Sequence, residues 1–323
     1  MNFLFSLCAA LSLLAASAVA AQSWAPARTI TIVVPVPPGS STDLVARVLA
    51  ERLPARLGQQ VLVENRPGAS GLIGANAVAK AAPDGHTLAV VASTLFIAPH
   101  VLPRGAGGGV DVIRDFTPIV KTASSPLLIL VNPETGVKTP QELVAYLKRN
   151  PGAGYASSGN GSPMHIAGEL FRKATGVEMT HIPYKGVMPA VADTVSGQVK
   201  IAFSALGGVG QFITSGRLNA VAVIEKQRTT LLPGVPTLTE SGIAGVEVGV
   251  FFPLLAPAAT PAAIVARLNE EANAILRAPE IRERLLSAGV EVRGGSAEDA
   301  AREIREEFAR FGRVVAEFGI KGE

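Results

Sequence analysis

The sequence predicts an α/β fold of two lobes, each a mostly parallel sheet with helices on both faces, and a ligand cleft between the lobes. Short Val- and Ile-rich runs alternate with helical patterns, and this alternation starts afresh near residue 124. A loop rich in Gly, Ser and Thr also recurs where strands lead into helices. Alternating strands and helices are typical of parallel sheets that are covered on both faces.

The first block of the chain contains the elements on which one lobe would be built. The patterns place strands at 30–34, 61–64 and 87–92 and helices at 42–53 and 72–82. Pro54 directly follows the first of these helices. Because proline lacks the amide hydrogen that a helix interior needs, we expect it to kink that helix or to end it early.

The second block repeats the pattern. A strand at 127–131 precedes a helix that begins at a capping box of Thr139, Pro140 and Glu142 and runs to about 149. Further strands are predicted at 155–157, 179–182, 199–204 and 220–223, with a helix after residue 162. From residue 260 onward the chain is mostly helical, and Ser296 with Asp299 forms a capping box before the last helix, 300–318.

The order of these elements predicts how the chain is divided. Extended segments at 119–126 and 248–257 are expected to cross between the lobes, so that the last helices complete the first lobe. The predicted boundaries are 27–123 plus 250–323 for lobe 1 and 124–249 for lobe 2, after a leader at 1–21.

The leader has the pattern of a secretory signal peptide. An apolar run at 3–14 is followed by Ala18, Val19 and Ala20, an A-x-A motif, so we expect export and cleavage after Ala20 or Ala21. A membrane anchor would need about 20 apolar residues, and this run is shorter. The only cysteine, Cys8, lies in this segment, so the exported chain is expected to fold without disulfides.

Composition and motifs exclude several function classes. The chain has 29 Lys and Arg against 26 Asp and Glu, a net charge of +3 without any basic run, which argues against a nucleic-acid partner. It lacks a phosphate-binding loop, a dinucleotide fingerprint and the nucleophile elbow of serine hydrolases. Its four histidines have no metal-ligand spacing, so we predict neither a metal nor a cofactor.

The recurring loop of small hydroxyl residues is the feature that indicates a ligand site. It stands at 39–43, 68–71, 93–94 and 157–162. Ligands of open α/β sheets bind beyond the carboxyl ends of the strands, and free amides at a helix N-terminus attract anions. Because the loops at 37–43, 68–71 and 157–162 contain no Arg or Lys, they suit a carboxylate held by neutral donors. Each loop can equally be an ordinary helix cap, and Asp43 is expected to brace its own loop.

Five segments, in order, resemble the Bug-type substrate-binding receptors of tripartite tricarboxylate transporters. They are VPVPPGSSTDLVARVLAERL, VLVENRPGASGLIGANAVAKAAPDGHTL, YASSGNGSPMHIAGELF, HIPYKGVMPAVADTVSGQVKIAFS and GRLNAVAV. The resemblance implies a monomeric periplasmic binding protein of the type II class that closes over its solute. It implies that a ligand carboxylate is held by backbone groups and water at residues 38–42, with contributions from 157–165 and from Tyr184, Lys185 and Gly186. Two integral membrane permease subunits would then take the solute across.

This chain departs from the family pattern at two places. Many relatives have two glycines in the first loop, where this chain has Gly39, Ser40 and Ser41. Many also carry an acidic residue where Ser204 stands, and its loss argues against an amino-acid ligand.

These observations together define a predicted site and function. The predicted ligand-binding residues are Pro38, Gly39, Ser40, Ser41, Thr42, Ser70, Ser93, Thr94, Ser157, Ser158, Ser162, His165, Lys185 and Ser204. For His165 a structural role, and for Lys185 a surface role, stay open. The predicted function is capture of a small organic acid for a tripartite transporter without covalent change. The alternatives are a sensor for a membrane signalling partner and a secreted serine hydrolase using Ser41, Ser70 or Ser162.

Overall fold

The computed structural model describes residues 24–103 and 105–321 of the 323-residue chain, so the predicted signal peptide at 1–21 lies outside the described residues. Two sheets organise the described part. The first has six strands in the order β11-β4-β10-β3-β1-β2. They are β1 (Ile30–Val34), β2 (Val61–Asn65), β3 (Thr87–Val90), β4 (Phe116–Ser125), β10 (Val250–Pro257) and β11 (Glu291–Val292).

The second sheet has five strands in the order β7-β6-β8-β5-β9. They are β5 (Leu127–Val131), β6 (Ala153–Ser157), β7 (Met179–Pro183), β8 (Ile201–Ala205) and β9 (Asn219–Val223). The two sheets with their helices confirm the predicted two-lobed α/β class. The exact lobe boundaries at 123/124 and 249/250 stay a prediction.

Most strands of each sheet run in one direction, as expected, but both sheets also contain antiparallel strands. In the first sheet β1 is parallel to β2 and β3, but β10 is antiparallel to both β3 and β4, and β11 is antiparallel to β4. In the second, β6 is parallel to β7 and β8, whereas β5 is antiparallel to β8 and β9. In the first sheet the antiparallel pairing arises because the two crossing segments, β4 and β10, run in opposite directions and pair with each other.

The described helices connect and cover these sheets. They are α1 (Ser41–Leu57), α2 (Leu72–Ala79), α3 (Thr94–Val101), α4 (Pro140–Arg149), α5 (Pro163–Thr175), α6 (Val187–Val195), α7 (Gly210–Thr214), α8 (Ala262–Arg277), α9 (Pro279–Ser287) and α10 (Ala297–Phe318). Helix α1 does not end at Pro54, because the helix continues to Leu57 and the Gly58 amide donates to the Pro54 carbonyl at 2.9 Å. Leu53 and Leu57 are both buried, and their packing holds this last turn in place.

The apolar core runs through both sheets. Ile30 and Ile32 of β1 are fully buried with Val45 and Leu49 of α1. The C-terminal helices α8 and α10 pack against β4 of the first sheet. Helix α10 also reaches α5, where Lys173 forms an ion pair with Glu317. None of the helices within 24–103 and 105–321 combines the length and the hydropathy of a membrane span.

Candidate functional site

Helix α1 begins directly beyond the carboxyl end of β1, and its first turn is braced from within. Ser40 is the N-cap: its backbone is extended, and its Oγ accepts a hydrogen bond from the Asp43 amide at 3.2 Å. The Asp43 carboxylate accepts hydrogen bonds from the Gly39 amide and from Arg47 Nε, each at 2.9 Å. Asn65 Nδ2 donates to the other Asp43 oxygen, also at 2.9 Å.

This brace fixes the charge of Asp43. Burial acts to raise the pKa of the Asp43 carboxyl, but hydrogen bonds from Arg47, Gly39 and Asn65 outweigh it and hold the pKa below its ordinary range. Asp43 is therefore ionised at neutral pH and occupied by its own donors. Arg47 is likewise engaged, since it donates to both Asp43 and Asn65.

The amides of Ser41 and Thr42 take no part in the hydrogen bonds around Asp43. The first amides of a helix have no partner inside the helix. The Asp43 amide is taken by Ser40 Oγ and the Leu44 amide by the Ser40 carbonyl. Within 24–103 and 105–321, no residue accepts a hydrogen bond from the amide or the hydroxyl of Ser41 or Thr42. We call the first turn of α1, Gly39 to Asp43, the cradle.

The loop that follows β8 in the second sheet lies against the cradle. A Cβ added to Gly207 would collide with Ser41 Oγ, so this loop lies directly against the Ser41 side chain. The Gly207 amide donates to Ser125 Oγ at 3.2 Å, and Ser125 Oγ donates to the Gly289 carbonyl at 2.9 Å. The carboxyl ends of β1 and β8 therefore converge.

Three loops of the second sheet form one surface beside this contact. The Tyr184 amide donates to the Ser157 carbonyl at 3.1 Å, and the Gly186 amide donates to the Ser158 carbonyl at 3.2 Å. The loops after β6 and β7 are thus joined by backbone hydrogen bonds. Met188 Sδ lies 3.8 Å from the place where a Cβ would stand on Gly208, so the loop after β8 is adjacent to them.

The loop 157–162, which we call the β6 loop, also reaches the first sheet's side of the molecule. A Cβ on Gly161 would stand 2.7 Å from Val101 Cγ2, at the end of α3. Ser162 is the N-cap of α5, and its Oγ accepts from the His165 amide at 3.2 Å. Ser158 Oγ contacts Met164 Sδ at 3.3 Å.

Two imidazoles lie under the β6 loop. The rings of His165 and His181 are stacked, with centroids 3.7 Å apart and planes inclined by 13°. His181 Nε2 lies 2.6 Å from Ser157 Oγ, and His165 Nδ1 accepts from the Gly161 amide at 3.2 Å. Burial lowers the pKa of His165 to about 4. Burial also lowers the pKa of His181 to about 4, and the neighbouring His165 adds to this effect.

The remaining predicted residues have different surroundings. Ser93 is buried and donates to the Gly249 carbonyl at 3.4 Å, and buried Ser204 donates to the Ala205 carbonyl at 3.1 Å. Thr94 is the first residue of α3 and is half-buried. Ser70 is exposed in a turn with positive φ, and Lys185 is exposed beside Gly186. The hydroxyls of Ser93 and Ser204 thus already have partners.

The structure also shows residues at this site that the sequence reasoning missed. Gly207, Val101, Met188 and His181 all contact the loops described above. The Gly pair at 207–208 directly after a strand is a sequence signal that could have indicated a close approach. Val101 carries no such signal, because it reads only as an apolar position in a helix.

Comparison with known proteins places the chain in a family. Residues 45–320 match the family model described as the tripartite tricarboxylate transporter family receptor. The chain is 36% identical to the protein BugT of Bordetella pertussis over 299 residues. The aligned part covers 92% of this chain and 91% of BugT.

Two solved structures from Rhodopseudomonas palustris share the fold. Rpa4515 with adipate has 34% identity and a TM-score of 0.82, covering 92% of this chain and 99% of that one. MatC with bound malate has 32% identity and a TM-score of 0.77, and the match covers 90% of this chain and 99% of MatC. The fold, the matched span and these relatives lead to one conclusion: the chain belongs to the tripartite tricarboxylate transporter receptor family, as a Bug-type member.

Proposed function

We propose that the protein captures a small organic acid in the cleft between its sheets and delivers it, chemically unchanged, to the membrane permease subunits of a tripartite transporter. The observation that carries this proposal is the cradle. At the start of a 17-residue helix it has two amides and two hydroxyls without a partner among the described residues, and the nearby Asp43 carboxylate is already paired with Arg47. The relatives determined with adipate and with malate support a carboxylate ligand.

The chemistry of the cradle favours an anion over other solutes. Each charge at a helix N-terminus gains about 0.3–1 kcal/mol from the helix dipole, and more where it is partly buried. The loop at 206–209 lies against the cradle through Gly207, and Met188, which follows the β7 loop, lies beside Gly208. We propose that the predicted residues at 38–42, 157–162, 165 and 185 contact or support the ligand, with Ser70, Ser93, Thr94 and Ser204 at the margins.

The serine-hydrolase alternative has no support in the arrangement of side chains. Among the described residues, the hydroxyl of Ser162 accepts from the His165 amide rather than from an imidazole. The Ser157–His181 pair has the short distance of a catalytic pair, but Ser157 is 0% exposed. Its hydroxyl also accepts from the Gly159 amide. A nucleophile must reach its substrate, and this one is enclosed.

A proline at position 41 tests the cradle. Ser40 already has φ −77° and ψ 164°, which suits a following proline, and proline is well tolerated as the first helical residue. Ser41→Pro therefore removes one donor amide and one hydroxyl without breaking the helix. We expect the dissociation constants for adipate or malate, measured by calorimetry, to rise about 10- to 100-fold, the range for a hydrogen bond to a charged group.

Ala297→Pro is the matched control. It is the first residue of α10, its N-cap Ser296 has φ −80° and ψ 162°, and it belongs to a C-terminal helix rather than to the cradle. It should leave affinity unchanged. For the wild-type protein, an acid at 100 times its dissociation constant should stabilise the fold by about 2.7 kcal/mol. Failure of every organic acid to bind, or equal binding by Ser41→Pro, would refute the proposal.

We also propose that the protein is exported to the periplasm as a monomer after cleavage near Ala20 or Ala21. The A-x-A pattern supports this, as does the family to which the chain belongs. N-terminal sequencing of the protein from a periplasmic extract is expected to begin at Ala21 or Gln22. Recovery with Met1 intact, or only from the cytoplasm, would contradict export.

A further inference from the structure

We infer that His165 and His181 are positioning residues that hold the β6 loop ready for the ligand. The inference deepens the proposed function and rests on it, because it assigns to this pair the shape of the cleft wall opposite the cradle. It is carried by a continuous set of contacts from the two rings to the amides of Gly159 and Gly161.

Each imidazole holds one turn of the loop. His165 Nδ1 accepts directly from the Gly161 amide at 3.2 Å. His181 acts through a serine: its Nε2 lies 2.6 Å from Ser157 Oγ, and that oxygen accepts from the Gly159 amide at 3.1 Å. Without His165 the Gly161 amide would need a new acceptor. Without His181 the Ser157 hydroxyl that accepts from the Gly159 amide would lose its own partner. Each loss is costly in a partly buried loop.

The contact to Gly161 fixes the protonation of His165. Because Nδ1 accepts a hydrogen bond, it carries no proton, and the ring must be the neutral Nε2–H form. His165 is 8% exposed and stacked on His181, so a charge on either ring would be poorly solvated and close to its neighbour. The hydrogen bond from Gly161 therefore requires a neutral His165, and the stacked, poorly solvated arrangement favours a neutral His181.

The second sheet supplies a firm base for the pair. The Tyr155 ring lies 5.1 Å from His181, and its hydroxyl donates to Glu169 at 3.0 Å. Glu169 in turn accepts from Arg172 at 2.7 Å. Tyr155, Glu169 and Arg172 are thus the ionisable groups of β6 and α5 beside the stacked histidines, and each of the three has a hydrogen-bond partner.

A held loop has a direct consequence for binding. The β6 loop contains two glycines, Gly159 and Gly161, which sample many conformations when nothing holds them. Ordering such a loop only when the ligand arrives would reduce affinity, whereas ordering it in advance removes that cost. The two histidines act on the ligand through the loop, whether or not His165 also touches it.

Substitutions that keep or remove the hydrogen-bonding atom test the pair. In His165→Asn the amide oxygen can occupy the place of the acceptor Nδ1, and in His181→Gln the amide group, which can donate or accept, can occupy the place of Nε2 beside Ser157 Oγ. His165→Leu and His181→Leu fill similar space without a polar atom. With adipate and malate as probes, we expect the Leu variants to bind about tenfold more weakly and the Asn and Gln variants to stay within about threefold of wild type.

His86→Leu is the control for loss of a buried histidine. His86 lies just before the amino end of β3, where it accepts from the Ala27 amide at 3.1 Å and contacts Trp24 with ring centroids 6.0 Å apart, whereas the β6 loop lies at the carboxyl end of a strand. It should lower thermal stability without changing affinity. A second readout needs no ligand: amide hydrogen exchange at Gly161 should stay slow in His165→Asn and become fast in His165→Leu.

The outcomes separate the two proposals. If no acid binds the wild type, the proposed function fails, and exchange at Gly159 and Gly161 still decides the positioning role. If the wild type binds but the Leu variants bind equally well with unchanged amide exchange, the inference about the histidines is overturned. Equal losses in the Leu variants and in the Asn and Gln variants would overturn it as well.

Discussion

Asp43 determines what the first turn of α1 can do. An acidic side chain beside an anion site would repel its ligand, but this carboxylate is surrounded by Arg47, Asn65 and the Gly39 amide. Its charge therefore stiffens the loop instead of opposing the ligand. The donors that it leaves free, at Ser41 and Thr42, point to a site that recognises an anion without a dedicated cation.

The stacked histidines predict how stability depends on pH. Burial lowers both pKa values from 6.5 to about 4, so the unfolded chain binds more protons between these values. Stability should be full above about pH 6.5 and decline as the pH falls toward 4. From pH 7 to pH 5 we expect a loss of about 2 kcal/mol per imidazole, measured by urea unfolding.

The double variant His165→Asn/His181→Gln provides the comparison for this prediction. It keeps Glu169 and Arg172, the charged groups beside the pair, as well as every carboxylate of the chain. Its free energy of unfolding should therefore decline less over the same interval. An identical decline in both proteins would show that the two imidazoles are not the groups responsible.

At the scale of elements, the contact between the loop after β8 and α1 makes a steric prediction. Gly207 has no positive φ, so alanine fits its backbone, but the added methyl would collide with Ser41 Oγ. We expect Gly207→Ala to weaken acid binding about tenfold, because the added methyl displaces Ser41 Oγ and so removes one hydroxyl donor from the cradle. Gly210→Ala, where nothing lies within 4 Å, should bind like wild type.

Removing the hydroxyl checks the cause of that effect. In a Ser41→Ala background the obstacle is gone, so adding Gly207→Ala should change the calorimetric affinity no further. A tenfold loss from Gly207→Ala in both backgrounds would place its effect elsewhere.

The elements themselves were largely predictable, and their pairing was not. The apolar spacing of residues 30–34 and 42–53 sufficed to find β1 and most of α1. The expectation that the helix ends near Pro54 was wrong, because burial of Leu57 outweighs the one hydrogen bond that proline cannot make near the end of a helix. The direction of β10 beside β3 and β4 depends on where the chain returns, and strand sequence alone does not encode it.

In the candidate site, too, local features were predictable and contacts between distant parts of the chain were not. Gly, Ser and Thr at strand ends indicated the cradle and the β6 loop because their chemistry is local. The contact of Gly207 with Ser41, and of Gly161 with Val101, joins residues more than 50 positions apart. Such contacts follow from how the two sheets are placed together. His181 was missed because its partner Ser157 belongs to a neighbouring strand.

At the scale of the whole molecule, we propose that an acid lies between the two sheets with a carboxylate on the first turn of α1. A crystal structure with the acid that gives the largest thermal shift tests this most directly. We predict carboxylate oxygens about 2.7–3.2 Å from the Ser41 and Thr42 amides, with the β6 loop on the opposite side. A carboxylate bound elsewhere, with these amides left to solvent, would contradict the claim.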